Sequence, residues 1–223
     1  MRATGSPSWK DREARGRRQL TTAWIGLALA AAFWLVIFGL HWGNFWTGMG
    51  IAAGVLTAYA VAAAGPPWRE EEWNWVNVII GISAALVLYG IFACGSWLGR
   101  SIFPFAGRQI GSIYDIQSQA NRWLIGLLLL FVTSPAEEIF WRGFLQRRFM
   151  VAGGEAAGWL MASLCYAAVH LFSGNLMLIL AALVAGLFWG LLYLWRRSLV
   201  PGIISHALWT VLVFLVFPLG GSL

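Results

Sequence analysis

The sequence predicts an all-α integral membrane protein, a bundle of about seven transmembrane helices (six to eight). Three observations lead there. First, 60% of the 223 residues are apolar and 11% are charged, against about 25% charged in ordinary soluble domains. A soluble fold of this length would lack the polar surface to cover itself, and disorder is excluded by the same figures. Second, the apolar residues gather into runs of about 18 or more, the length that crosses a bilayer core. Third, the 15 tryptophans and 26 glycines suit membrane-spanning segments, where both are frequent. The runs are too long for strands and lack the two-residue alternation of a membrane barrel.

The spans follow in order. Ala23 to Leu40, Phe45 to Ala64 and Val76 to Leu98 form the first three. A fourth starts at Trp123 and meets two glutamates, Glu137 and Glu138. Ala156 to Phe172, Leu176 to Trp195 and Leu199 to Leu219 complete the set. Gly65-Pro66-Pro67, Gly153-Gly154 and Pro201-Gly202 are turn signals between them. Trp68 to Trp75 reads as a charged, Trp-rich strip at the interface, and Arg100 to Arg122 as a polar link with an interfacial helix. No repeat or low-complexity segment is visible. One domain accommodates everything: a basic cytoplasmic tail (1–20), N-terminal transmembrane helices with interfacial links (21–121), and a four-helix core (122–223).

The net charge of +6 does not indicate nucleic acid. Six of the 15 Lys/Arg residues sit in the first twenty positions, where a basic tail before a span acts as a topology signal. With the N-terminus in the cytoplasm, inside segments hold twelve Lys/Arg and outside segments three. The outside three are Arg100, Arg108 and Arg122. A multi-pass protein of the cell inner membrane is expected. The tail does not read as a cleaved signal peptide, because the apolar run is too long and more spans follow. Cys94 and Cys165 lie in apolar runs and read as small core residues.

Ionisable groups inside spans are costly, about 2.5–3.5 kcal/mol each on insertion scales, so function is sought there. His41, at a span end, reads as interfacial. Glu138 and Arg142 are four apart, share a helix face and can pair. Glu137, rotated about 100° from Glu138, points elsewhere. Pro135 removes a backbone donor and favours a kink that can admit water. The bland alternative is an interfacial charge cluster, since Arg147 and Arg148 follow.

His170 and His206, read singly, are ordinary hydrogen-bonded residues of apolar helices. Together with the glutamate pair, on three separate helices, they form a stronger pattern. A carboxylate and a neutral imidazole converging on one water make a nucleophile. A second imidazole can donate to a developing oxyanion. Zinc is possible with these ligand types but not favoured, because no H-E-x-x-H run is present.

Glu137-Glu138-Ile139-Phe140-Trp141-Arg142 matches the EExxxR motif of the CPBP family, the CAAX-protease and bacteriocin-processing intramembrane proteases. Tyr166-Ala167-Ala168-Val169-His170 resembles that family's FxxxH motif, with Tyr for Phe. His206-Ala207-Leu208-Trp209-Thr210 resembles its third motif, usually HxxxN, with Thr210 at the last position. The resemblance covers roughly Trp123 to Val216. It implies a glutamate-dependent membrane endopeptidase without a cofactor, acting on a membrane-anchored protein or peptide. By carry-over, Glu137 is the catalytic base, His170 orients and activates the water, and His206 stabilises the oxyanion with Thr210. Glu138 and Arg142 support them. Two other functions compete: a non-catalytic membrane binding or immunity protein on the same scaffold, and a proton-coupled transporter. The latter lacks paired broken helices in matching halves.

The protease reading requires Glu137, His170 and His206 to line one cavity, with Arg142 facing Glu138 and Thr210 one turn beyond His206 on the same face. Helix rise alone puts His206 about 8 Å past Pro201 and His170 about 21 Å past Ala156. Convergence therefore needs the fourth helix to run on to Phe149, or the turn at Arg196 to Val200 to dip inward.

Overall fold

A computed structural model describes residues 9–219, with side chains from residue 16 onward. Residues 1–8 and 220–223 lie outside the described residues, as do the side chains of Lys10, Arg12 and Arg15, so most of the basic tail is not described. Every regular element described is helical. Among the described residues six helices are long and apolar enough to cross a membrane, and Val200–Val216 is a shorter apolar one.

Polar caps and left-handed residues set the boundaries. Helix α1, Trp9–Trp34, continues through a π-helical turn, Leu35–Gly39. The chain reverses at His41 and Gly43, both at positive φ. Asn44 then caps α2, Phe45–Ala64, by accepting from the Trp46 and Thr47 amides. Gly65 (φ 75°) ends α2 ahead of the two prolines. Asn74 caps α3, Trp75–Ile102. The polar link contains α4, Ala106–Tyr114. Asn121 caps α5, Arg122–Gly153, a single span of 32 residues. Gly154 (φ 88°) separates it from α6, Glu155–Ser173, and Asn175 caps α7, Leu176–Arg196. Arg197, at φ 54°, turns the chain into α8, Val200–Val216.

Helix α5 is not uniformly α-helical. A π turn, Leu129–Thr133, ends one residue short of Pro135, with Ser134 between them. The wider turn accommodates a residue that has no N–H and whose ring crowds the preceding turn. Where the sequence suggested a kink, the helix carries this π turn. A second π stretch, Ile139–Gln146, follows the glutamates.

The spans alternate in direction, and each end of the bundle is stitched by polar contacts. At one end the link reaches the starts of α2 and α7: Asn44 donates to the Gln119 carbonyl at 2.8 Å and Asn175 to that of Gln109 at 2.7 Å. The same region serves the last carbonyls of α8. Tyr114 donates to Val213 O, Gln117 to Phe214 O and Arg122 to Leu215 O. At the other end Arg148 holds the Ala63 carbonyl at 2.7 Å. There too, Glu72 accepts from Ser198 Oγ at 2.8 Å and from the Leu199 amide at 2.9 Å. The Trp68 to Trp75 strip, expected as an interfacial loop, is thus also a clasp on the entrance of α8.

Small residues permit close crossings. A methyl group on Gly81 would lie 2.8 Å from Ile204, between α3 and α8. Large apolar side chains such as Ile25, Ile51, Ile79, Leu86 and Leu127 face outward, as a lipid-facing surface requires.

Candidate active site

Helix α5 does continue past Phe149, and the turn entering α8 is buried at Ser198, Leu199 and Val200. Glu137, His170, His206 and Thr210 line one cavity of about 170 Å³, with room for several waters. Its other walls are mainly apolar and aromatic, among them Trp34, Phe38, Trp46 and Trp189.

Glu138 turns away from that cavity into the helix packing. It is 1% exposed. Its Oε1 accepts from Arg142 Nη1 at 3.0 Å and from His206 Nδ1 at 2.9 Å. Arg142 is 2% exposed. Its guanidinium also reaches the Gly186 carbonyl at 3.4 Å and sits 5.0 Å from the Tyr166 ring centre and 5.4 Å from that of Trp189. A buried arginine is tolerable only with this density of partners. The Glu138–Arg142 pairing expected from the four-residue spacing is present. The bond from Glu138 to His206, 68 residues on, had no signature in the sequence.

His206 is fixed by three contacts. Its Nδ1–H donates to Glu138 Oε1. Trp189 stacks on the imidazole at 3.8 Å between centroids and 17° between planes, and Trp189 is itself held by a hydrogen bond to Ser205 Oγ at 3.1 Å. Gly202, one turn before His206, has no side chain because none fits: a Cβ there would meet Glu138 Oε2 at 2.9 Å. Thr210 lies one turn beyond His206, and its hydroxyl donates to the His206 carbonyl at 2.7 Å.

Glu137 is partly buried and, among the described residues, makes a single hydrogen bond. Tyr166 Oη donates to its Oε2 at 2.8 Å. Tyr166 also links Glu137 to His170, because its carbonyl lies 2.7 Å from His170 Nδ1. A carbonyl only accepts, so that nitrogen carries the proton. His170 Nε2 is then the bare nitrogen, and it accepts from the Trp34 indole N–H at 3.2 Å. Both nitrogens of His170 are therefore engaged, and the ring is neutral in this arrangement.

Sequence reasoning did not single out Trp34, and it noted Tyr166 only as standing in for Phe. A hydroxyl at a motif position otherwise occupied by an apolar ring was the available signal for Tyr166. Trp34 had none, being one of 15 tryptophans. Among the described residues no three His, Cys, Asp or Glu side chains converge as ligands for a metal ion.

No curated protein and no solved structure matches this chain. One family model does match, over residues 119–212, the stretch that carries all the motif residues. With six apolar helices of membrane-crossing length among the described residues, the chain is a multi-pass integral membrane protein. Over residues 119–212 it is similar to the Rce1-like type II CAAX prenyl endopeptidases, the CAAX-protease family that its motifs resemble.

Proposed function

We propose that the chain is an intramembrane endopeptidase that hydrolyses a peptide bond in a membrane-associated protein or peptide. The observation that carries this reading is the contrast within one cavity. His206 is locked by Glu138, while adjacent Glu137 keeps carboxylate capacity facing the cavity. In the proposed reaction a water between Glu137 and the scissile carbonyl gives its proton to the carboxylate as its oxygen attacks the carbonyl carbon. The carbonyl π electrons move to oxygen. His206, carrying protons on both nitrogens, donates Nε2–H to that oxyanion while Glu138 holds Nδ1–H. The oxyanion then re-forms the carbonyl as the C–N bond breaks, and Glu137 returns its proton to the departing amine nitrogen, leaving a carboxyl group and a free amine.

His170 enters only if Nε2 exchanges the Trp34 indole for the water; otherwise it holds Tyr166 and shapes the wall. Thr210 secures the turn that carries His206. No metal is assigned a role, and activity that survives a strong chelator is expected. The positive charges flanking the spans favour a cytoplasmic N-terminus and the cell inner membrane.

A second reading, a non-catalytic binding or immunity protein, draws on one observation: His170 has no uncommitted nitrogen. A cleavage assay separates the two. Purified protein in lipid nanodiscs is given a fluorogenic peptide with a prenylated CAAX tail, beside its unprenylated counterpart, with and without chelator. Chelator-resistant hydrolysis of either peptide supports the protease. Binding without hydrolysis supports the alternative.

A further inference from the structure

The cavity that holds Glu137 and His206 lies in one half of the bundle, as the position of its wall residues along their helices shows. Phe38 is in the last turn of α1 and its π extension, and Phe45 opens α2. Ile116 comes from the polar link, Leu178 from the first turn of α7 and Phe214 from the last turn of α8. His170 is one turn from the end of α6, Glu155–Ser173. All of these lie toward the end of the bundle that the polar link covers. Phe38, Phe45, Ile116 and Leu178 are only half-buried there.

The opposite end is closed. Beyond Glu137, α5 continues through Phe140, Trp141, Phe144, Leu145 and Gln146, none of them more than 1% exposed. By helix rise this is about 9 Å of solid packing. Gln146 is tied to the Gly190 carbonyl of α7 at 2.9 Å. On α8, Leu199, Val200 and Ser205 are buried ahead of His206. A peptide arriving from this end would have to unpack a close-packed core, whereas one arriving from the link end meets the rim of the cavity.

Charge tells the two ends apart. Seven arginines with described side chains flank the closed end: Arg17 and Arg18 on α1, Arg69 in the Trp-rich strip, Arg147 and Arg148 on α5, and Arg196 and Arg197 where α7 stops. The open end has three, Arg100, Arg108 and Arg122. Short segments rich in Lys and Arg stay in the cytoplasm. The closed end then faces the cytoplasm, and the polar link, with the cavity beneath it, faces out.

We propose that the cavity is entered from the extracytoplasmic face, and that its ligand is a peptide segment presented on that side of the membrane rather than one displayed on the cytoplasmic leaflet. Cleavage of that peptide rests on the endopeptidase reading; the open face does not. Sealed right-side-out and inverted membrane vesicles carrying the full chain present the two faces separately. In a Cys94→Ala, Cys165→Ala background, single cysteines are labelled with a small membrane-impermeant methanethiosulfonate. Ser118→Cys marks the link and Glu71→Cys the arginine-rich end, both at exposed positions. Ala181→Cys and Leu178→Cys mark the cavity wall. Ser118→Cys and at least one cavity cysteine should be labelled in right-side-out vesicles and lose that labelling in inverted ones, and Glu71→Cys should do the reverse. Labelling of the cavity cysteines only from the inverted face, or from neither face, overturns the proposal, as does labelling of Ser118→Cys only in inverted vesicles. The unprenylated fluorogenic peptide is then added outside both preparations of the wild-type chain, with Glu137→Gln vesicles as the blank. Right-side-out vesicles should hydrolyse it, and inverted ones only after detergent opens them. Hydrolysis by intact inverted vesicles overturns the proposal. If no preparation hydrolyses the peptide even in detergent, the endopeptidase reading falls, and the labelling alone decides which face is open.

Discussion

Glu137 and Glu138 are the same residue on consecutive positions of one helix, yet they sit in opposite environments. Glu138 points into the contact of α5 with α7 and α8, where an arginine, a histidine and a glycine close around it. Glu137, about 100° further around the helix, points into a cavity and is touched by one tyrosine hydroxyl. A charge in a membrane protein survives either by being fully partnered or by facing water. This helix uses both solutions side by side. The lesson is that a paired carboxylate motif divides into an anchor and a reactive group by rotation alone.

The comparison can be broken first at the anchor. Glu138→Ala leaves the Arg142 guanidinium buried without its carboxylate, a loss of about 3–5 kcal/mol. It should appear as a sharp drop in melting temperature in detergent and in yield of folded protein. Glu137→Ala, which removes one hydrogen bond, should cost about 1 kcal/mol. Equal losses in the two variants would erase the distinction. A more distant break is Glu72→Gln, which weakens the carboxylate bonds to Ser198 and the Leu199 amide at the start of α8. A cost of about 1.5–3 kcal/mol is expected, with a lowered kcat, because α8 carries His206.

A finer probe is Gly202→Ala. Its new methyl meets Glu138 Oε2 at 2.9 Å and must push the carboxylate off His206. About 1–3 kcal/mol of stability and a larger share of activity should be lost. Gly126→Ala, where the nearest atom is a flexible Leu215 carbon at 3.4 Å, should be nearly silent in both. The smallest expected effect is Thr210→Val. Its hydroxyl already serves the His206 carbonyl, so kcat should fall no more than about threefold, within the worth of one such hydrogen bond. A fall of a hundredfold would mean that Thr210 leaves its own helix to meet the substrate.

The sequence made the bundle legible because apolar runs in a membrane are read by length and charge, without knowledge of neighbours. The site was partly legible for the same reason: Glu137, Glu138, Arg142, His170 and His206 stand out against apolar helices. The Glu138–Arg142 pair was readable from a four-residue spacing. What escaped are contacts made across the bundle. Glu138 to His206 and Trp34 to His170 span 68 and 136 residues, and no periodicity encodes them. Glu72 read as part of an interfacial strip because its partners lie 126 and 127 residues away. The π turn beside Pro135 was foreseen only as a kink, since a proline signals a fault in the helix but not its form.

The central claim is that Glu137 does chemistry and Glu138 does not. It is tested most directly by hydrolysis of the prenylated CAAX peptide by wild type and Glu137→Gln, each confirmed folded by its melting temperature. Gln keeps the shape and can still accept from Tyr166 but cannot take a proton from water. The account predicts a loss of about 10²–10⁴-fold in kcat at an unchanged melting temperature. Near-normal turnover by Glu137→Gln would contradict it.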